Sequence, residues 1–223
     1  MHGAAPVLYN ASMHTVAWKI WRGQSLARIL MNRALSAYTI TGRVVDIGGG
    51  RSPDYFEYLK KEKFTSIELV DFSFSRIDFE KDALPFADAS VDTVLCMNTL
   101  EHVYNYRFLT AQMYRVLKKD GKLIGFVPFL INYHPDPHDF FRYTKESLTK
   151  IFIEAGFADI SIRSVGGGSF LVNYNMIMLS LPKVLRVLMF PCYLILDRLF
   201  LKFRPKAAER YPLGYVFVAT TPK

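Results

Sequence analysis

The run Val44-Val45-Asp46-Ile47-Gly48-Gly49-Gly50 constrains this chain more than any other feature: a β-branched stretch carrying an acid runs straight into three glycines. An apolar strand of that kind belongs inside a parallel sheet, covered on both faces. Glycines at its carboxyl end let a ligand lie against bare main chain, and open α/β sheets bind their ligands in the crevice beyond such strand ends. The acid in front of the glycines favours a ligand with a positive group. The plain alternative is a tight strand-to-helix turn that holds nothing.

Around this run the chain has 223 residues, 51% of them hydrophobic and 15% aromatic, enough for a substantial packed core and too apolar for disorder. Its net charge of +8 fits an anionic substrate, nucleic acid or an acidic membrane surface without choosing among them. A mean hydropathy of +0.12 is high for a freely soluble protein, which points to apolar surface that meets a partner or a membrane. Cys96 and Cys192 make no disulfide or metal framework, so a reducing, cytoplasmic compartment is expected. Residues 1–10 lack the charged-then-apolar pattern of a secretory signal. The most apolar stretch, 176–203, is interrupted by Lys183, Arg186, Asp197 and Arg198 and by Pro182 and Pro191, which favours an interfacial segment over a membrane span.

Apolar periodicity predicts an amphipathic helix over 18–37, with Trp18, Trp21, Leu26, Ile29, Leu30 and Leu35 at helical spacing. Strands and helices then alternate, the signature of an α/β fold with a mainly parallel sheet. Strands are expected at 44–47, 66–70, 76–79, 91–97, 122–127, 160–165 and 215–220, and helices at 53–61, 105–117 and 145–155. Residues 71–75 are read as too short for a helix, and 118–121 as a helix end rich in lysine with a closing glycine. This organises the chain as a helical cap (1–42), a core (43–168 and 211–223) and an apolar, basic insertion (169–210).

The cofactor follows from what the glycines lack. A nicotinamide dinucleotide site needs Gly-x-Gly-x-x-Gly, and here Pro53 stands at the third position; a Gly-Lys-Ser/Thr phosphate loop is also missing. Instead, the predicted strands end on acids: Asp46, then Asp71, then Asp78. A carboxylate at the second strand end can take both hydroxyls of a ribose. Three such carboxylates repel phosphate and favour an adenosine with a cationic head.

Four stretches carry a resemblance: residues 44–50, Leu84-Pro85-Phe86-Ala87-Asp88-Ala89-Ser90-Val91-Asp92, Thr99-Leu100-Glu101-His102-Val103, and Tyr114-Arg115-Val116-Leu117-Lys118-Lys119-Asp120-Gly121-Lys122. Together they resemble the class I S-adenosylmethionine-dependent methyltransferases, in the ubiquinone-biosynthesis-like, type 11 branch. The resemblance implies a Rossmann-like, mainly parallel seven-stranded sheet with a reversed last strand and helices on both faces. It implies that Asp46, Gly48 and Gly50 hold the methionine end of S-adenosylmethionine, that Asp71 takes the ribose, and that Asp78 and Phe79 meet the adenine. Asn98 would offer its backbone carbonyl to the cofactor amine. Two departures stand out: Ser52 replaces a usual third glycine, and the helix after the second strand is missing, so Glu80 or Asp82 is the alternative to Asp78.

Methyl transfer needs positioning above all, and a base only where the acceptor must lose a proton. Residues 133–144 follow the fifth predicted strand and hold the candidates. His138, oriented by Asp139, is the expected general base, with His102 a second candidate. His134, Arg142 and Tyr143 are expected on the substrate, with a buried ion pair to an aspartate as the alternative for Arg142. His134 and His138 with Asp136 or Asp139 have the composition of a metal site, but their spacing and the lack of further ligands lead to an expectation of no metal.

The insertion suits a substrate lid, a homodimer interface or an anionic membrane surface, and each makes a small apolar or lipid-linked acceptor the expected substrate. Oxygen is the first expected acceptor atom, with carbon and nitrogen behind it. A nucleic-acid methyltransferase is the runner-up, supported by charge alone: Met97-Asn98-Thr99-Leu100 lacks the Asn/Asp-Pro-Pro-aromatic signature of base-amine enzymes. Nucleic acid is therefore not an expected partner. A non-catalytic membrane module that keeps the fold is the third reading.

Overall fold

The computed structural model describes residues 12–223, so the reading of residues 1–10 lies outside the described part. The described chain forms α1 (Met13–Trp21), α2 (Leu26–Leu35), β1 (Thr39–Ile47), β2 (Lys60–Val70), α3 (Phe72–Ser75), β3 (Val91–Met97), α4 (Tyr106–Val116) and β4 (Leu117–Pro128). It continues with α5 (Lys145–Glu154), β5 (Ala158–Gly166), α6 (Ser169–Met178), α7 (Lys183–Phe203), α8 (Ala207–Arg210) and β6 (Pro212–Thr220).

Among the described residues the strands make one six-stranded sheet in the order β2-β1-β3-β4-β6-β5. β1 lies parallel between β2 and β3, with Val45 opposite Glu68 and Val94, and β3 is parallel to β4. β6 runs against β4: Gly121 pairs with Thr221 at one end, and Phe129 donates to Leu213 at the other. The central strands are buried as their β-branched, apolar sequences require: Val44, Val45, Ile47, Val94, Leu95, Leu123 and Val127 are inaccessible or nearly so.

The predicted strand at 76–79 does not form. Asp71 caps a single helical turn, α3, by accepting from the Ser73 amide, and Arg76 closes it in the left-handed region at φ 54°. The Asp78 carbonyl then takes the amides of Lys81 and Asp82 in a turn. With residues 71–76 wound into a capped helical turn and 78–82 into a second turn, no extended segment is left to pair. Six strands therefore stand among the described residues where seven were expected, and 71–75 does hold a helical turn.

Other boundaries moved for local reasons. The helix over 18–37 is two helices, broken where Gly23 takes φ +92° past the end of α1. The helix over 53–61 shrinks to a 3-10 turn, Asp54–Glu57, because the chain is in β2 by Lys60. Residues 118–121 belong to β4, not to a helix end: α4 stops at Val116, and Asp120 at φ 56° absorbs an irregularity in the strand.

The chain divides into two compact units. One comprises Leu35–Pro128, Tyr133–Arg163 and Tyr215–Lys223; it contains β1 to β4, and Phe217 of β6 packs on Phe152 of α5 at 4.8 Å. The other comprises the described residues through Ala34 with Phe129–Asn132 and Ser164–Gly214. In it α7 packs against α1 and α6, and buried polar side chains cap its helices. Asn175 accepts from the Ala27 amide at 2.9 Å near the start of α2, and Asp197 accepts from Gly168, Phe170 and Leu171 at the start of α6.

Candidate functional site

Three parallel strands, β1, β2 and β3, deliver their carboxyl ends to one rim of the sheet. A cleft of ≈ 780 Å³ opens there, a size suited to a cofactor. Its floor is the turn Gly48–Gly50; its walls are Asp71 to Ser73, the loop Arg76 to Glu80, Asn98 and Thr99, and the segment Asp136 to His138.

The three glycines have different reasons to be there. A Cβ on Gly48, at φ +76°, would stand 2.4 Å from the Thr99 hydroxyl, which itself donates to the Ile47 carbonyl at 2.9 Å. A Cβ on Gly49 would strike the Tyr55 hydroxyl at 2.2 Å. Gly50 has φ +71° and nothing within 4 Å of where its Cβ would be, so its bare main chain faces open cleft. The first two glycines are demanded by packing; the third leaves room for a ligand.

Asp46 is fully buried at the end of β1, where the Tyr55 hydroxyl donates to its carboxylate at 2.6 Å. It does not line the cleft, so any hold on a ligand passes through the turn it anchors. Tyr55, which no sequence signal singled out, helps to hold it. Asp71 does line the cleft: one of its oxygens accepts from Gly50 N at 3.1 Å, the other from Ser73 N at 2.9 Å.

Asp78, Phe79 and Glu80 form the next wall. Glu80 spends both oxygens on the amides of Tyr104 and Asn105, each at 2.6 Å, at the start of α4. Asp82 takes the Asp78 amide and stands outside the cleft lining. Asp78 lines the cleft, and the Glu80 amide and the Lys81 ammonium at 3.0 Å hold its carboxylate below the usual range. Asn98 sits just past β3 at φ 52°, a conformation that asparagine tolerates better than most residues.

The substrate-side candidates separate. His138 and His102 line the cleft; Arg142, Tyr143, His134 and Asp139 do not. Asp139 does not orient His138. Its nearly inaccessible carboxylate grips the Arg142 guanidinium with both oxygens, accepts from His134 N at 3.0 Å, and is drawn down to a pKa of about 2, chiefly by Arg142. Arg142 is thus an ion-pair residue, and the His138 ring rests on Phe140 at 5.1 Å. Tyr143 is buried, donates to the Leu100 carbonyl at 3.1 Å, and its phenol is pushed up by burial. His102 gives its Nδ1 to the His138 carbonyl, tying the two cleft histidines together.

The cleft suits the sulfonium nucleoside that the sequence pointed to. Carboxylates face it from two walls, bare backbone faces it from the floor, and aromatic rings (Phe72 and Phe79) supply apolar contact.

Comparison with known proteins places this rim in a wider group. The family described as a methyltransferase domain matches residues 45–125. A curated relative named "Probable S-adenosylmethionine-dependent methyltransferase", from Mycobacterium tuberculosis, is 31% identical over 85 residues, which make up 35% of this chain and 31% of the relative. The match therefore spans less than a third of that relative's length. Among solved structures, the [4+2]-cyclase SpnF aligns at a TM-score of 0.56 and 14% identity, over 88% of this chain and 80% of the cyclase. Phosphoethanolamine N-methyltransferase 2 of Haemonchus contortus, solved with S-adenosyl-L-methionine, aligns at 0.52 and 16% identity, over 88% of this chain and 52% of that one. At such identities the structural likeness speaks for the fold alone.

Proposed function

Since this chain carries a class I S-adenosylmethionine-dependent methyltransferase domain of the type 11 branch, we propose that it transfers the methyl group of S-adenosylmethionine to an oxygen of a small or lipid-linked acceptor. One observation carries the reading: Asp71, Asp78 and the open backbone of Gly50 face a single cleft beyond three parallel strand ends. Asp71 takes the ribose hydroxyls, Asp78 the adenine amine beside Phe79, and Gly48 to Gly50 with the Asn98 carbonyl the methionine end.

In the displacement the acceptor oxygen forms a bond to the methyl carbon as the carbon–sulfur bond breaks. The electron pair stays on sulfur, and the sulfonium becomes a neutral thioether. The acceptor proton needs a base, and of the two imidazoles that line the cleft, His102 and His138, we assign the role to His138. The chain's main contribution is orientation, worth about 7–11 kcal/mol in well-aligned model reactions.

The helical unit supports the lipid-linked acceptor. On α7, Val184, Leu188, Ile195, Leu199 and Phe203 recur at helical spacing and are all more than half exposed. Exposed Lys183, Arg198 and Lys202 border them, and Trp18 and Trp21 of α1 are exposed in the same unit. Apolar side chains edged by cations and tryptophans suit the headgroup region of an anionic membrane. No helix among the described residues is long and apolar enough to cross a membrane, so we assign α7 a position on the surface.

Calorimetry with S-adenosylmethionine tests the cofactor step; absence of heat and of a thermal shift counts against it. Label from methyl-labelled cofactor is then followed into lipid and aqueous extracts, with recovery in an O-methyl product of the lipid fraction expected. Binding without any transfer would place the chain with relatives of this fold that do other chemistry. Flotation with anionic and neutral liposomes tests α7: recovery only with anionic lipid supports docking, and none with either removes it.

A further inference from the structure

Beside the cofactor-facing groups lies a carboxylate that the proposed reaction does not use. Glu101 is completely buried, and neither of its oxygens makes a hydrogen bond. An isolated buried carboxylate is costly unless a cation compensates it.

Two imidazoles close on it. His102 Nε2 lies 3.7 Å from Glu101 Oε1, and His134 Nε2 lies 3.8 Å from the same oxygen, with the two rings edge to face at 5.2 Å. The far nitrogen of each ring is held from outside: Nδ1 of His102 by the His138 carbonyl, and Nδ1 of His134 by the Asp139 carboxylate at 3.3 Å. Arg142 Nη2, which also donates to Asp139, lies in hydrogen-bond reach of that same His134 nitrogen at 3.4 Å. A carbonyl only accepts, so His102 Nδ1 carries a proton, and Nε2 is the nitrogen directed at the buried carboxylate. A cation held between the two imidazoles and Glu101 would compensate that carboxylate.

We propose that Glu101, His102 and His134 bind one divalent transition-metal ion of the zinc or ferrous class. Two imidazoles and one carboxylate form the donor set of hydrolytic zinc sites and non-haem iron centres. The outer nitrogen of His102, tied to a carbonyl, has the support that such a ligand requires. The three donor atoms already lie within 4.8 Å of one another. Tetrahedral bonds of about 2 Å put ligand atoms about 3.3 Å apart, so small side-chain rotations close the remaining gap. The sequence pointed away from a metal because it grouped His134 with His138, Asp136 and Asp139; the set that converges uses Glu101 instead. His102 also borders the cleft, so an acceptor oxygen could complete the coordination.

Untagged, chelator-treated protein titrated with Co2+ and followed by visible absorption tests the site without any methyl transfer. One equivalent of Co2+, displaced by Zn2+, is expected, with binding weakened at least about tenfold in both Glu101→Gln and His134→Ala. Should Glu101→Gln fail to fold, His134→Ala carries the test, since that side chain is 36% exposed. Wild-type protein that takes up no Co2+, or a folded His134→Ala that binds it as wild type does, overturns the assignment.

Discussion

The main-chain amide of Gly50 donates to the Asp71 carboxylate at 3.1 Å, joining the turn after β1 to the cap of α3. One side chain therefore shapes the floor of the cleft and also presents the acceptor proposed for the ribose. Asp71→Ala removes both and should weaken S-adenosylmethionine binding about 10- to 100-fold, the loss of charged hydrogen bonds worth about 1.5–3 kcal/mol. Ser73→Ala takes away one hydroxyl donor, at 2.5 Å, and leaves the carboxylate, so its affinity should stay within a few-fold. Calorimetric titration of both variants separates the roles; equal losses would mean that the effect is the geometry of the turn.

Gly48 and Gly50 share a positive φ but not their surroundings. Gly48→Ala adds a methyl 2.4 Å from the Thr99 hydroxyl as well as backbone strain, and should destabilise by about 3 kcal/mol. Gly50→Ala meets open space and should cost about 1–2 kcal/mol from strain alone. Its methyl projects into the cleft, so it should lower cofactor affinity by more than its stability loss explains. Urea denaturation and calorimetry on the pair check this; similar stability losses would show that Thr99 yields easily.

The glycine turn and the acids closing β1 and β2, Asp46 and Asp71, were legible because they depend on local chain chemistry: β-branched runs, a glycine at a positive φ, an acid at a strand end. Asp78, expected at a third strand end, lies in a turn instead. The placement of residues 133–144 was not legible, because it depends on how an irregular segment folds back on itself, which side-chain type and spacing do not encode. Asp139 adjoins His138 in the chain, yet its carboxylate faces Arg142 and His134. Tyr55 and Glu101 were missed because their roles come from contacts made only in the fold. Tyr55 looks like any aromatic on a short helix until it is seen on Asp46, and Glu101 was quoted within a motif but gained its meaning only when two histidines were found facing it. The missing seventh strand turned on Arg76 adopting a left-handed conformation, which nothing in its residue type announces.

Acid should expose the Asp139–Arg142 pair. The Asp139 pKa falls from an ordinary 3.8 to about 2 in the folded chain, a difference of about 2 kcal/mol. A carboxylate lowered on folding stabilises above its unfolded pKa, and that contribution is lost as pH falls through the folded one. Wild-type protein should thus lose this increment between about pH 4 and pH 2. Asp139→Asn should lack it at neutral pH and show a flatter stability profile across that window. Denaturation midpoints at a series of pH values check this; parallel profiles for the two proteins would mean that the ion pair adds nothing.

Asp197 is the sole acid within α7, and its position makes the apolar helix readable. Its carboxylate is inaccessible and turns inward to the amides of Gly168 at 2.7 Å, Phe170 at 3.0 Å and Leu171 at 3.1 Å. Gly167 and Gly168 permit the approach: a Cβ on either would stand under 3 Å from the carboxylate. The acid that seemed to interrupt an apolar stretch is therefore a helix cap, and the exposed side of α7 is left without negative charge. Asp197→Ala would strand three amides and should cost about 3 kcal/mol, whereas Asp197→Asn keeps an acceptor for part of the set and should cost about 1 kcal/mol. If α7 docks on anionic lipid through its outer face, Asp197→Asn, while folded, should float with anionic liposomes as wild type does, because the substitution lies on the inner side. Denaturation and flotation on that one variant check both halves, and a folded Asp197→Asn with altered lipid recovery would show that the two sides of the helix are not independent.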